Sequence, residues 1–261
     1  MGHAVKRYIE FLGLPGSGKT TLARELCGYL NSNNHKAFQA EEALYVALRR
    51  RSHYYNVRYP IKYCSYERGK RWLHEVYRQP RFSYDPLNRF FNTHENMTAI
   101  FCSILQRPEN IQDCALLIKW LVRLCGGYQL TQENLKHDEV LVVDEGFCNR
   151  AISLFGYGSG AVDYGNLQAY VTHLPAPDLV MCVEASPATR EKRLSARGYP
   201  ARFKSASAQR RKELYCNFDA CVSMVVAGLE SRGISVLHID NDGPLEHFYQ
   251  NTATLLAHIF P

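Results

Sequence analysis

The sequence predicts an α/β fold, a parallel sheet covered by helices on both faces in three layers, with a helical insertion after the second strand. Three observations predict it. A Gly/Pro/Ser turn at residues 13–18 joins an apolar strand to an amphipathic helix. Strand-like and helix-like segments alternate through the second half of the chain, the pattern of parallel strands linked by crossovers. Val140-Leu141-Val142-Val143 is an unbroken run of β-formers, as in a strand buried on both faces.

The elements follow in order. Val5–Leu12 reads as a buried strand, with Tyr8, Ile9, Phe11 and Leu12 as its β-formers. Leu22, Leu26 and Leu30 recur every four residues, one face of a helix over Lys19–Leu30 that ends at Asn31–Asn34. Ala37–Ala40 is a short strand, and a helix starts near Glu41. From Asn92 to Gly126 the pattern is helical, broken near Pro108. Further helices are expected over Tyr164–Leu174, Pro187–Arg197 (Pro at the start, Gly198 at the end), Ala206–Ser231 and Pro244–Ile259. Asp178–Val183 and Ile234–Ile239 are the remaining strands.

Composition bounds the function. The 261 residues are 46% hydrophobic and 21% charged, enough apolar material for one sizeable core and unlike a disordered or fibrous chain. No stretch approaches the roughly 20 apolar residues of a membrane span, and His3, Lys6, Arg7 and Glu10 leave no apolar signal-peptide core. The nine cysteines (27, 64, 102, 114, 125, 148, 182, 216, 221) are odd in number, scattered and never C-x-x-C. They read as reduced, mostly buried thiols of a cytoplasmic protein, not as a disulfide or zinc framework.

The chemistry concentrates in Gly13-Leu14-Pro15-Gly16-Ser17-Gly18-Lys19-Thr20, which fits G-x-x-x-x-G-K-[ST] in full, with strand before and helix after. Glycines let successive backbone N–H groups approach phosphate oxygens, and the helix N-terminus adds its positive dipole end. Lys19 is expected on the β- and γ-phosphates of ATP and Thr20, followed by Thr21, on Mg²⁺. Asp144, at the carboxyl end of its strand, is expected to orient the same Mg²⁺. A GTPase would want N-K-x-D, which is absent, and no ABC-type signature occurs.

With these residues in place the chain resembles the P-loop kinases of the nucleoside and nucleotide kinase group, most closely thymidylate kinase. The likeness rests on the phosphate loop, on Val183–Gly198 with its Pro-opened helix and R-L-x-x-R-G ending, and on Leu237-His238-Ile239-Asp240 with Pro244 beyond. It covers about 130 residues at the two ends of the chain. It implies a nucleotide-kinase-like P-loop fold, residues 193–207 as a basic lid, Arg193 and Arg197 (with Arg202) as candidate contacts to the transferring phosphoryl group, and the closing strand beside an adenine-side loop. A homodimer is what the resemblance allows; the sequence leaves the oligomeric state open. The chain also departs from the family. Thymidylate kinases carry Asp-Arg-Tyr or Asp-Arg-Phe after the central strand and deoxynucleoside kinases Glu-Arg-Ser, whereas here it is Asp144-Glu145-Gly146-Phe147. Arg150, one turn later, is a candidate substitute.

An acceptor hydroxyl needs a carboxylate base, a phosphate acceptor needs cations. Glu145, beside Asp144, and Glu41, after the second strand, are the candidate bases; helix-start or solvated acids are the competing reading of each. The stretch Tyr45–Phe91 holds 12 of the 31 aromatics and carries a local charge of +8, so the rest of the chain sums to −2 against a total of +6. It reads in three ways: a pocket for an anionic or ring-containing small acceptor, a single-strand nucleic-acid groove, or a helical cap with core aromatics and solvated arginines. The sequence thus points to one domain over residues 1–261, a cap over 41–137, and an ATP- and Mg²⁺-dependent phosphotransferase acting on a nucleoside-like, nucleotide-like or other hydroxyl metabolite. A polynucleotide-end kinase or nucleic-acid-stimulated ATPase is the alternative, and no membrane partner is expected.

Overall fold

Five strands, β1 (Arg7–Leu12), β2 (Lys36–Gln39), β3 (Glu139–Val143), β4 (Leu179–Glu184) and β5 (Ser235–Asp240), form one sheet in the order β2-β3-β1-β4-β5. The computed structural model describes residues 7–54, 77, 80–106, 111–158, 160–204, 206–243 and 248–249. Parallel pairing joins β1 to β4 (Leu12 beside Cys182), β2 to β3 (Gln39 beside Val142) and β4 to β5 (Cys182 beside His238). β3 and β4 are buried along almost their whole length, as their unalternating apolar sequences require. The chain leaves β1 toward one edge of the sheet and leaves β3 and β4 toward the other. Right-handed crossovers then fall on opposite faces, which gives the three-layer α/β architecture. β1 and β3 flank the point where the direction reverses, the place where open α/β sheets bind ligands.

The helices are α1 (Lys19–Ser32), α2 (Ala40–Tyr54), α3 (Pro80–Thr93), α4 (Glu95–Leu105), α5 (Ile111–Leu121), α6 (Gly127–Asn134), α7 (Phe147–Phe155), α8 (Tyr164–His173), α9 (Pro187–Arg197), α10 (Ala201–Lys204) and α11 (Ala208–Ser231). Their local signals are visible. The Ser186 hydroxyl accepts from Thr189 N at 3.2 Å to cap α9, Pro187 occupies its first turn, and Gly198 ends it at φ 92°. Ser207 caps α11 in the same way through Arg210 N, so that helix begins two residues later than expected. Leu214, Phe218, Cys221, Val225 and Leu229 form its buried stripe. Ala40, expected to close the second strand, opens α2 instead. A π turn, Val122–Gly126, continues α5 into α6, so the helical run reaches Asn134, beyond the Gly126 end expected from the sequence.

The chain falls into two compact units. The first holds Tyr29–Val142 with Met1–Tyr8 and His173–Pro175. Leu44, Tyr45, Ala47, Leu48, Phe82 and Leu130 make its apolar cluster, with Tyr77 against it. The second holds Ile9–Gly28, Val143–Thr172 and Ala176–Pro261, and includes the phosphate loop, Asp144 and α9. Most of the expected terminal helix, Pro244–Ile259, lies outside the described residues. No helix among the described residues is long and apolar enough to cross a membrane. Cys27, Cys125, Cys148, Cys182 and Cys221 are buried, and Cys102 and Cys216 are exposed.

Candidate functional site

The phosphate loop leaves β1 in a conformation that glycine makes accessible. Gly16 and Gly18 have φ of 86° and 100°, the left-handed region. A Cβ on Gly16 would lie 2.9 Å from the Arg190 carbonyl oxygen, and one on Gly18 only 2.2 Å from Asn241 Nδ2. The loop is therefore packed against α9 and against the residue that follows β5. Arg193 ties these parts together: Nη1 donates to Ser17 O at 3.0 Å and Nη2 to Asn241 O at 2.8 Å. Asn241 Nδ2 donates to the same Ser17 carbonyl at 2.6 Å. Those groups hold the outer, carbonyl side of the loop. On the other side the first N–H groups of α1 precede its first helical bond, Leu22 N to Gly18 O at 3.1 Å.

Lys19 folds back over its own loop. Its Nζ donates to Gly13 O at 2.6 Å and to Leu14 O at 3.1 Å, and the residue is only 9% exposed. Burial lowers its pKa to about 8, although the charges of Glu145 and Asp144 pull the other way; Arg197 adds to the lowering. All three side chains therefore act on the Lys19 ammonium. The buried Ser17 hydroxyl has no hydrogen-bond partner among the described residues.

Thr20 Oγ1 donates to Asp144 Oδ2 at 2.6 Å across 124 positions of sequence. A hydroxyl and a carboxylate side by side are hard oxygen donors, the type that Mg²⁺ takes, so the residues present fit that ion. The orphaned Ser17 hydroxyl and the start of α1 likewise fit a phosphate-bearing nucleotide. Glu145 follows Asp144 and its Oε2 accepts from Arg150 Nη2 at 2.7 Å, so the guanidinium one turn on is drawn to this corner.

Gly146 has a steric cause. A Cβ there would lie 2.3 Å from the carboxylate of Glu10. Glu10, on β1, is completely buried. Its two oxygens accept from Phe147 N at 2.8 Å and Cys148 N at 2.7 Å, the opening N–H groups of α7. Tyr170 Oη donates to Phe147 O at 2.8 Å from α8. The segment after Asp144 is thus anchored by an acid inside β1, and a side chain at position 146 would meet its carboxylate.

The sequence-predicted residues divide as follows. Gly13, Pro15, Gly16, Ser17, Gly18, Lys19, Thr20, Thr21, Asp144, Glu145, Arg193 and Arg197 all belong to the second unit. Arg193 contacts loop carbonyls, so in this structure it holds the loop's backbone. Arg197 is exposed in the last turn of α9. The Arg202 side chain lies outside the described residues. Glu41 belongs to the first unit, where it accepts from Arg123 Nη2 at 2.7 Å. Three residues escaped the sequence reading: Glu10, Asn241 and Arg190. The one visible signal was an acid set inside the apolar run Tyr8-Ile9-Glu10-Phe11-Leu12.

The basic aromatic stretch is described in part; residues 55–76 and 78–79 lie outside the described residues. Three of its arginines, Arg50, Arg51 and Arg89, form ion pairs. Arg50 grips Glu139 with two bonds of 2.6 Å. Arg51 bonds Asp85 and Glu133, and Arg89 bonds the same two acids. Phe82 and Phe90 are fully buried. Phe82 and Phe90 are thus core side chains, while Arg50, Arg51 and Arg89 are ion-paired where solvated arginines were expected.

No family model matches the sequence, and no curated protein matches it. Among solved structures the chain is similar to a deoxyadenosine kinase from M. mycoides with bound dATP, at 13% identity over 96% of this chain and 99% of that chain, with a TM-score of 0.43. It is a distant likeness.

Proposed function

We propose that this chain is an ATP- and Mg²⁺-dependent phosphotransferase of the P-loop kinase type that moves the γ-phosphoryl group of ATP to a small hydroxyl acceptor. The observation that carries the reading is the 2.6 Å contact between Thr20 and Asp144. It joins a loop built for phosphate to a carboxylate suited to Mg²⁺ at the strand switch point. Mg²⁺, when bound by these two oxygens, neutralises charge on the phosphates. Lys19 exchanges the carbonyls of Gly13 and Leu14 for phosphate oxygens. Arg193 keeps the loop in shape, and Arg197 supplies charge to the transferring group. Residues 193–207 act as the lid and 41–137 as the acceptor-side cap.

In transfer, the acceptor oxygen forms a bond to the γ-phosphorus, the bridging bond to the β-phosphate breaks, and ADP leaves. The acceptor proton goes to a carboxylate. Of the two candidates, Glu145 is favoured by its charge acting on Lys19 and by its bond from Arg150; Glu41 has Arg123 as partner. The acceptor class is nucleoside-like or nucleotide-like, as the resemblance to the nucleoside and nucleotide kinases, thymidylate kinase among them, implies, or another hydroxyl metabolite. A screen of nucleosides, nucleotides and sugars, read as ADP release with Lys19→Ala as control, tests this. One acceptor class raises ADP release in the native chain and not in the variant. ATP hydrolysis stimulated by single-stranded DNA or RNA and by no small acceptor overturns the reading.

A further inference from the structure

A cavity of about 650 Å³ lies between α9 and the first half of α11, on the side of α9 that carries Arg190 and Glu191. Its size is in the range of small-ligand pockets. Arg190 lines it and is only 8% exposed. The Arg190 guanidinium sits 5.1 Å above the Tyr215 ring, and that of Arg211 5.4 Å above Tyr199. The Nε atoms of both arginines are buried without a hydrogen-bond partner among the described residues. A guanidinium that lines a cavity takes an oxyanion best, through planar, charge-assisted hydrogen bonds.

The charges around the cavity favour an anion. Lys212 adds a third cation to its wall. Of the two acids there, Glu191 already accepts from the Tyr199 hydroxyl. Burial raises the pKa of Asp219, with Arg190 opposing, and the three cations of the wall outnumber its two acids. Pro187 and Ala208 contribute apolar wall beside the exposed Cys216.

We propose that the α9–α11 cavity is a binding site for a small metabolite bearing a phosphate or carboxylate group, held by Arg190 and Arg211 with its apolar part against Pro187 and the Tyr215 ring. The Arg190 backbone packs against Gly16 of the phosphate loop while its side chain lines the cavity, and binding there does not depend on phosphotransfer.

Cys216 gives a local reporter. Alkylation of the full chain by iodoacetamide, resolved by peptide mass spectrometry, is followed with added inorganic phosphate and, in a second series, malonate. At least one anion slows Cys216 labelling saturably, by about fivefold or more, since a seated ligand covers the cavity wall. Cys102 labelling does not change. Protection by phosphate alone assigns a phosphoryl ligand, and protection by malonate alone assigns a carboxylate. Lys19→Ala keeps the protection; Arg190→Gln and Arg211→Gln lose it. Arg211 is only half-buried, so its variant carries the test if the Arg190 variant melts early. The proposal is overturned by no protection with either anion, by undiminished protection in Arg211→Gln, or by loss of protection in Lys19→Ala.

Discussion

Glu10 and Phe147 stand 137 positions apart and are joined by a 2.8 Å hydrogen bond from the Phe147 N–H to the buried Glu10 carboxylate. With the bond from Cys148 N, it fixes the start of α7 to the strand that feeds the phosphate loop. The same carboxylate fills the space beside Gly146. One acid in β1 therefore determines where the segment after Asp144 runs.

Glu10→Gln removes the charge from this contact and is expected to destabilise the chain by about 1–3 kcal/mol. Gly146→Ala drives a methyl group into the carboxylate and is expected to cost about as much, by overpacking. Urea denaturation of both variants checks this. Native stability in Gly146→Ala would show that the carboxylate can step aside.

Lys19 gives a pH signature. Its folded pKa of about 8 lies below the ordinary 10.5, chiefly through burial. Between those two values the unfolded chain holds a proton that the folded chain does not, so this lysine's contribution to stability rises with pH from about 8 to 10.5. Below about 8 the folded chain bears the full cost of the buried charge. Lys19→Met is accordingly expected to be more stable than the native chain at pH 7, with the gap closing as pH rises toward 10. Thermal melts of both proteins across that range measure it; a pH-independent gap refutes the assignment.

Thr20→Val and Asp144→Asn each remove one member of the proposed Mg²⁺ pair. Turnover is expected to fall by about a hundredfold or more, the effect of losing one preorganised electrostatic group. Titration of activity with Mg²⁺ locates the loss: the half-saturating concentration rises in both variants while their melting temperatures stay near native.

The two arginines of α9 are expected to separate kinetically. Arg193→Ala releases the carbonyl of Ser17 and weakens nucleotide binding, about tenfold for the loss of charge-assisted bonds. Arg197→Ala leaves nucleotide affinity near native and lowers turnover. Equilibrium binding and steady-state rates on the same preparations decide between this division and a shared role.

Acid should act first on the ion pairs of Arg50, Arg51 and Arg89. Hydrogen bonding from Arg89 holds Asp85 below its ordinary range. Burial pushes Glu139 up, but the Arg50 fork and the Lys136 N–H together more than offset this and leave it lowered. A depressed carboxylate contributes stability above its unfolded pKa, and that contribution is lost as pH falls below about 4 through the folded value. Arg50→Ala is expected to flatten the fall in melting temperature between pH 5 and pH 3.

The sequence by itself determined whatever has a local period or a local cap. The phosphate loop, the unbroken apolar run of β3, the four-residue spacing of α1 and the Ser186-Pro187 start of α9 are written in neighbouring residues. So was the selection of Lys19, Thr20 and Asp144 as candidates, because those residue types suit phosphate and Mg²⁺. Only the tertiary structure decided what depends on strand order. It set Thr20 beside Asp144, turned Arg193 onto the loop's carbonyls, put Asn241 against Gly18 and buried Glu10 at the start of α7. α7 itself went unread, since its opening N–H groups are satisfied by a residue 137 positions away. Side-chain periodicity reports which face is buried. It carries no information on which distant group will meet a buried charge, because that is fixed by how the crossovers order the strands.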